Sequence, residues 1–490
     1  MLYGKYASSV PNASFHEHLL EKPVFHKIPD LFTDLSPHRG FARNPVKMAN
    51  TMQRITFVKM RNIPSTVCIG TPRQLQGRAG LSGPTPASRP SVEPHAFGLK
   101  CVKLIDMDQL PSSSKFSAPR AAYVHVPFCV HRCGYCDFTV VAGKDRLIPA
   151  YLDALEIELE TLGTPRPVDT IFVGGGTPTH LPPKDLSRLL NLIRYWFPPA
   201  PGAEFSVEAN PADLDHKRVE VLANHGVNRI SLGVQAFDDQ TLQLLERDHR
   251  QADIERTWQL IRQYFENVSL DLIFGVPGQT LATWEKTLQA AVALQPTHVS
   301  TYGLTYEKGT RFWARRQKGE LVASAENLET EMYALSMATW TAAGFEQYEI
   351  SSFARPGFRC RHNQIYWQGQ GYWACGPGAA RYVNGRRESN HRSVTTWIQR
   401  LKQGLSPVSD SEELSPEDRA RELIVLGLRR CDGIDAAEFQ RQTGYELRSL
   451  EPQAWQRHLA TGFLEETTAG AIRLTQAGRF VADSVIVDFL

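Results

Sequence analysis

The sequence predicts an α/β protein: a partial (β/α)6, TIM-like barrel with a C-terminal winged-helix-like α+β domain and a largely disordered N-terminal extension. Three observations lead there. From about Ala121, short β-rich apolar runs alternate with amphipathic helical stretches, the rhythm of parallel βαβ units. Residues 1–117 show neither periodicity and carry scattered Pro, Ser and Gly. After a composition shift at Gly404–Ser415 the pattern turns to helices with one short strand pair. The domains are expected at 1–117 (extension), 118–310 (barrel), 311–405 (an aromatic, Gly-rich subdomain) and 406–490 (C-terminal domain).

Taken in order, the strands are expected at Ala121–Val126, Thr170–Val173, Glu204–Val207, Arg229–Gly233, Val268–Phe274 and His298–Gly303. The intervening helices are expected at Ile148–Leu162, Asp185–Tyr195, Leu214–His225, Ile254–Tyr264 and Thr280–Leu294. Six repeats fall short of a full eightfold barrel. A helix follows around Glu326–Ala343, then the aromatic segment Tyr348–Tyr382. In the C-terminal domain, helices are expected at Pro416–Leu428, Ile434–Thr443 and Leu447–Leu459, a strand pair within Phe463–Leu474, and a last helix over Gln476–Leu490. Parallel α/β sheets place their chemistry on loops after the carboxyl ends of the strands, so those loops are where a site is sought.

Composition narrows the function. The chain has 490 residues, 42% hydrophobic and 22% charged, enough to bury a sizeable core. Its net charge of +2 conceals a division: residues 1–117 hold 15 Lys/Arg and 7 Asp/Glu, and the other 373 hold 39 and 45. The body is therefore mildly acidic, which argues against nucleic acid as a partner. No run of about 18 apolar residues is present, so no membrane span is expected, and a cytoplasmic location is. Three readings of the extension compete: an organelle-targeting leader, a functional tail, and sequence upstream of a later start such as Met107; Glu17, Glu21, Asp30 and Asp34 weaken the first, and the extension is expected to be dispensable.

Eight cysteines are too sparse for a disulfide scaffold, and Cys129, Cys133 and Cys136 crowd into one loop after the first strand. Their C-x3-C-x2-C spacing supplies three thiolates. On a four-iron cluster that leaves one iron open to a ligand from outside the protein. The alternative is structural zinc with His125 or His131 as fourth ligand, but a second cysteine pair of the usual zinc pattern is lacking.

These cysteines resemble the radical S-adenosylmethionine (SAM) superfamily. The motifs Tyr123-x-His-x-Pro-Phe-Cys129, Gly174-Gly-Gly-Thr-Pro-Thr179, Ser206-Val-Glu208-Ala-Asn-Pro211, Gly233-Val-Gln235-Ala-Phe237 and Asp271-Leu-Ile-Phe-Gly-Val-Pro-Gly278 are similar to the oxygen-independent coproporphyrinogen oxidase group. The similarity runs over residues 118–490. It implies a [4Fe-4S] cluster on the three cysteines and SAM on its open iron. It also implies SAM contacts from Tyr123, Tyr135, Gly175, Gly176, Thr177, Glu208, Gln235, Arg247 and Asp271. Read alone, the glycines could form an ordinary turn and Arg247 a solvated helix charge.

Within that group the oxidase pattern continues to a fourth cysteine two residues on, where this chain has Phe138. That departure resembles the heme chaperone HemW subfamily. So does His362-Asn363-Gln-Ile-Tyr366-Trp367, whose imidazole could ligate heme iron while Tyr366 and Trp367 present flat apolar faces. An ordinary aromatic core with a structural histidine is the competing reading, with Cys360 and Cys375 as rival donors. Similar C-terminal motifs, Glu422-Leu-Ile-Val-Leu-Gly-Leu-Arg429, Gly433-Ile-Asp435 and Leu474-Thr-Gln-Ala-Gly-Arg479, suggest a domain that covers the barrel mouth or contacts an acceptor. The resemblance thus implies a chaperone, without oxidase activity, that delivers heme to an acceptor hemoprotein, including by peripheral contact with membrane hemoproteins. The alternative is radical oxidative decarboxylation in porphyrin biosynthesis. A weaker third reading is an interaction module with a merely structural cluster.

Overall fold

The computed structural model describes residues 118–490, so the disordered extension expected over 1–117 lies outside the described residues. Strands β1 (Ala121–Val126), β2 (Val168–Gly175), β3 (Pro199–Ala209), β4 (Arg229–Gln235), β5 (Asn267–Phe274) and β6 (His298–Gly303) pair in that order, all parallel. These are the six strands of the sequence rhythm. Their residues are buried almost without alternation, as expected of parallel strands covered on both faces.

Helices α1 (Ile148–Glu160), α2 (Pro183–Trp196), α3 (His216–Asn224), α4 (Gln251–Ile261) and α5 (Leu281–Ala293) make the crossovers. Helix α2 shows why they form: Pro183 opens its first turn, and Leu186, Leu189, Leu190 and Ile193 fall on one face and are buried. Each such burial contributes about 1.5–3 kcal/mol before entropy. Asp215 caps α3 by accepting from the Arg218 amide at 2.8 Å.

The chain beyond β6 completes the sheet in a way periodicity could not show. After α6 (Glu326–Ala342), the hairpin of β7 (Glu346–Gln347) and β8 (Ser352–Ala354) adds antiparallel to β6. Helix α7 (Arg361–Trp367) follows, and β9 (Trp373–Cys375) then pairs parallel with β1. The nine strands run β9-β1-β2-β3-β4-β5-β6-β8-β7, and the two ends of this order do not pair, so the barrel is partial. Two or three residues are too few to display a strand period, and only the pairing partner defines them.

A small antiparallel sheet of β10 (Ala380–Val383), β11 (Arg386–Asn390) and β12 (Val408–Glu413) encloses α8 (Val394–Lys402) in sequence. The C-terminal region holds α9 (Pro416–Leu428), β13 (Ile434–Asp435), α10 (Ala436–Thr443), α11 (Pro452–Ala460), β14 (Leu464–Glu466) and β15 (Ala471–Leu474), around an apolar cluster that includes Ile424, Leu428, Phe439, Trp455 and Phe489. Three expectations shift here. The helix expected at Leu447–Leu459 is a single turn at Leu447–Ser449 followed, after Glu451 at φ 54°, by the helix Pro452–Ala460. The Ile434–Thr443 stretch begins as a strand that pairs with β15. The last helix breaks at Val481 (φ −121°, ψ 27°) into Gln476–Phe480 and Ala482–Ile486, and Ala482, Val485, Ile486 and Phe489 all enter the cluster. No described helix is long and apolar enough to cross a membrane.

Candidate metal centre and its cavity

At the end of β1 the chain passes through Pro127 into Phe128 and Cys129, which pair with Val141 and Ala142 and close the base of the cysteine loop. The glycine run after β2 lies directly against it. The Gly176 and Thr177 amides donate to the Val126 and Phe128 carbonyls, both at 2.7 Å. A Cβ on Gly176 would stand 2.6 Å from the Phe128 oxygen, so only glycine allows this approach. Gly175 adopts φ +113° and donates its amide to Glu208 Oε2 at 2.9 Å. The loop is tethered from outside as well: the Phe312 amide donates to the Gly134 carbonyl at 2.9 Å, and Arg311 and Arg392 donate to the carbonyls of Arg132 and Asp137, while within the loop Arg132 donates to the Cys136 carbonyl.

A cavity of about 1120 Å³, including its open mouth, lies at the carboxyl ends of the strands. Cys129, Cys133 and Cys136 line it, together with Tyr135, Gly175, Gly176, Thr177, Glu208, Gln235, Arg247 and Asp271. Tyr123 does not. Its hydroxyl bonds His125 Nδ1 at 3.0 Å and its ring stacks on Phe172, deeper in the barrel. Asn210, Ser231, Asp248 and Tyr302 line the cavity without having been singled out. Asn210 carried a signal: it follows Glu208 by two residues, the strand period.

Arg247 is the central cation. It donates to Cys133 Sγ at 3.7 Å, Asn210 Oδ1 at 3.1 Å and the Gly233 carbonyl at 3.1 Å, while its buried Nε has no protein partner. Asp271 accepts from the Ser231 hydroxyl at 3.1 Å. Gln235 ends β4 with φ +68°, a strained conformation at the cavity wall. Thr177 Oγ1 stands 3.4 Å from Cys129 Sγ. Burial pushes the Cys129 thiol up to about 12, so loading the thiolate with metal must displace its proton.

The donors present suit an iron–sulfur cluster. Three thiols face one cavity with room for a further ligand, although among the described residues no three His, Cys, Asp or Glu converge on one ion. A cluster does not ask for that convergence, since each thiolate binds its own iron. The unpartnered Arg247 N–H suits a cofactor carboxylate. Of the two histidines offered for zinc, His125 is buried with Nε2 held 2.8 Å from the Thr139 carbonyl, and only His131 reaches the cavity.

The His362 motif lies elsewhere. Helix α7 sits against the amino-terminal part of β2 and β3, where the Glu204 carboxylate accepts from the Arg361 and His362 amides at 2.9 and 3.0 Å. The His362 ring is buried, with Nδ1 2.9 Å from Thr170 Oγ1 and Nε2 2.8 Å from the Tyr366 hydroxyl. Burial, reinforced by Arg229, lowers its pKa to about 3. Tyr366 is buried, and Trp367 lies under the Arg429 guanidinium at 5.4 Å. Both ring nitrogens are thus committed inside an aromatic core, and axial ligation by His362 would require breaking one of these bonds. Cys360 and Cys375 are buried small residues. The C-terminal domain contacts α7 and the β7–β8 hairpin, where the Cys431 amide donates to the Tyr348 carbonyl at 3.0 Å, and no residue of 406–490 lines the cavity. It does not cover the barrel mouth.

Comparison with known proteins agrees with this geometry. The family model of the Radical SAM superfamily matches residues 123–291, and that of the HemN C-terminal domain matches residues 414–481. "Heme chaperone HemW" of Bacillus subtilis is 38% identical, covering 76% of this chain and 99% of that protein. The Escherichia coli protein of the same name is 32% identical over 76% and 98%. The mouse "Radical S-adenosyl methionine domain-containing protein 1, mitochondrial" is 32% identical over 78% and 90%. The solved coproporphyrinogen III oxidase (HemN) of Escherichia coli superposes with a TM-score of 0.68 at 23% identity, covering 76% of this chain and 90% of that one, which shows the fold. With its cysteine loop, its glycine run and its C-terminal domain all in place, this chain belongs to the heme chaperone HemW family of radical SAM proteins.

Proposed function

We propose that the chain carries a [4Fe-4S] cluster on Cys129, Cys133 and Cys136, binds SAM in the adjoining cavity, and holds heme for delivery to an acceptor hemoprotein, working in the cytoplasm. The observation that carries this reading is the cavity itself: three thiols, one buried arginine with a free N–H, and Phe138 on the wall where the oxidase pattern has a fourth cysteine. When bound, the cluster supplies an electron to SAM.

The chain's own residues would do the holding. Arg247 offers its fork to a carboxylate, and because three of its contacts are already made, its geometry is set before the ligand arrives. Glu208, anchored by the Gly175 amide, and Asp271, anchored by Ser231, keep acceptor capacity for ammonium or hydroxyl groups. Phe138, Val140 and Ile273 make the wall apolar and limit water.

The test is anaerobic reconstitution followed by two assays on one preparation: heme binding by absorbance and coproporphyrinogen consumption with SAM and reductant. We expect stable heme binding and no conversion. Robust formation of protoporphyrinogen would overturn the chaperone reading, and fractionation of the tagged protein into an organelle would overturn the compartment.

A further inference from the structure

Among the described residues that line the cavity, Arg247 is the one guanidinium or ammonium, against the carboxylates of Asp137, Glu208, Asp248 and Asp271. A ligand carboxylate can enter so acidic a lining only if that single positive charge is not already neutralised by one of them. The acceptors that meet its Nη2 are neutral: Asn210 Oδ1 at 3.1 Å, the Gly233 carbonyl at 3.1 Å and His249 Nδ1 at 3.4 Å. His249 Nε2 lies 2.9 Å from the Val234 carbonyl, so Nε2 carries the ring proton and Nδ1 accepts. Burial beside Arg247 lowers the pKa of this imidazole to about 4, which keeps it uncharged.

Asn210 joins this fork to the nearest carboxylate in the sequence. Its Nδ2 donates to Asp248 Oδ1 at 3.0 Å, while its Oδ1 accepts from Arg247 and, at 3.4 Å, from the Ala212 amide. A flipped side chain would set an NH2 against the guanidinium and an oxygen against the carboxylate, so one orientation is enforced. The residue is buried and its backbone is fixed on both sides: its N–H donates to Thr179 Oγ1 at 3.4 Å, and its carbonyl accepts from the Asp213 amide at 3.0 Å. We infer that Asn210 is a positioning residue that sets the cavity's preference for ligands bearing a carboxylate. It fixes the fork with an uncharged acceptor and engages Asp248 through its own N–H, so the guanidinium charge and the buried, unpartnered Nε are left for a ligand carboxylate. An aspartate at 210 would instead give Arg247 its counter-ion before any ligand arrives. The inference rests on the SAM-binding reading and adds what keeps that site selective.

The experiment is equilibrium dialysis of SAM and of decarboxylated SAM, the same sulfonium nucleoside without its carboxylate, against the anaerobically reconstituted full chain, with cluster iron determined on every sample. The wild type is expected to prefer SAM by about tenfold or more, the worth of one charge-assisted pair. The exchange variant, Asn210→Asp with Asp248→Asn, keeps the net charge and the hydrogen bond between the two side chains but moves the carboxylate onto Arg247. It is expected to lose most of that preference through weaker SAM binding, with cluster iron and the affinity for decarboxylated SAM unchanged. Added to Arg247→Ala, the exchange is expected to leave SAM affinity where Arg247→Ala alone puts it. A preference equal to that of the wild type, an equal loss of both ligands, loss of iron in the exchange variant, or a further loss beyond Arg247→Ala overturns the role of Asn210. If the wild type binds both ligands alike, or neither, the SAM reading of the cavity falls instead.

Discussion

A methyl group on Gly176 is expected to cost both stability and the metal centre. The added Cβ would lie 2.6 Å from the Phe128 carbonyl oxygen and 2.9 Å from the Val126 oxygen, both backbone atoms. Ordinary contact begins near 3.4 Å, so the two segments must separate by 0.8 Å at the tightest point. That strains the two 2.7 Å hydrogen bonds from Gly176 and Thr177 across the seam, worth about 0.5–1.5 kcal/mol each. Overpacking adds about 1–3 kcal/mol. Gly176→Ala should therefore lose about 2–6 kcal/mol in denaturant unfolding, and the shifted Cys129 should lower cluster iron after reconstitution. Gly303→Ala is the control, because its Cβ would meet only the Phe274 ring at 3.4 Å. A Gly176→Ala protein with full iron and a stability within about 1 kcal/mol of wild type would refute the reasoning.

Further outcomes follow from other residues. Cys133→Ala removes one of three thiolates, so iron per chain after reconstitution should fall sharply; retention of full iron would contradict the cluster assignment. Arg247→Lys keeps the charge but loses the fork, and the loss of a charged hydrogen bond worth about 1.5–3 kcal/mol should weaken SAM binding at least tenfold in equilibrium dialysis. Unchanged SAM affinity would remove Arg247 from the cofactor site. His362 is held neutral, with its folded pKa near 3 against an ordinary 6.5. Below pH 6.5 the unfolded chain takes up a proton that the folded chain refuses, so stability is lost as pH falls toward 3. Between pH 7 and 5 the wild type should lose about 2 kcal/mol that His362→Gln does not, at about 1.4 kcal/mol per pH unit. Parallel pH profiles in urea denaturation would contradict the buried, neutral ring.

The six barrel strands and five crossover helices were legible because each strand carries a short β-rich run and each helix is long enough to show its period. The cysteine triplet was legible because its spacing is local chemistry. Strand β9 was not, since three residues carry no period and only its pairing with β1 makes it a strand. The final helix was read as continuous because local propensity does not register the C-terminal cluster that bends it at Val481.

The sequence by itself determined the donor set, the order of strands and the positions of the loops that follow them, since these depend on neighbouring residues and on short periodicities. Only the tertiary structure decided which of those residues meet. It brought Arg247 to Cys133 and Asn210, 114 and 37 residues away, because parallel strands deliver their carboxyl ends to one side of the sheet. By the same packing it turned Tyr123 away from the cavity and closed His362 between Thr170 and Tyr366. Motif identity names a residue's chemistry, whereas the partners that burial supplies decide whether that chemistry is available.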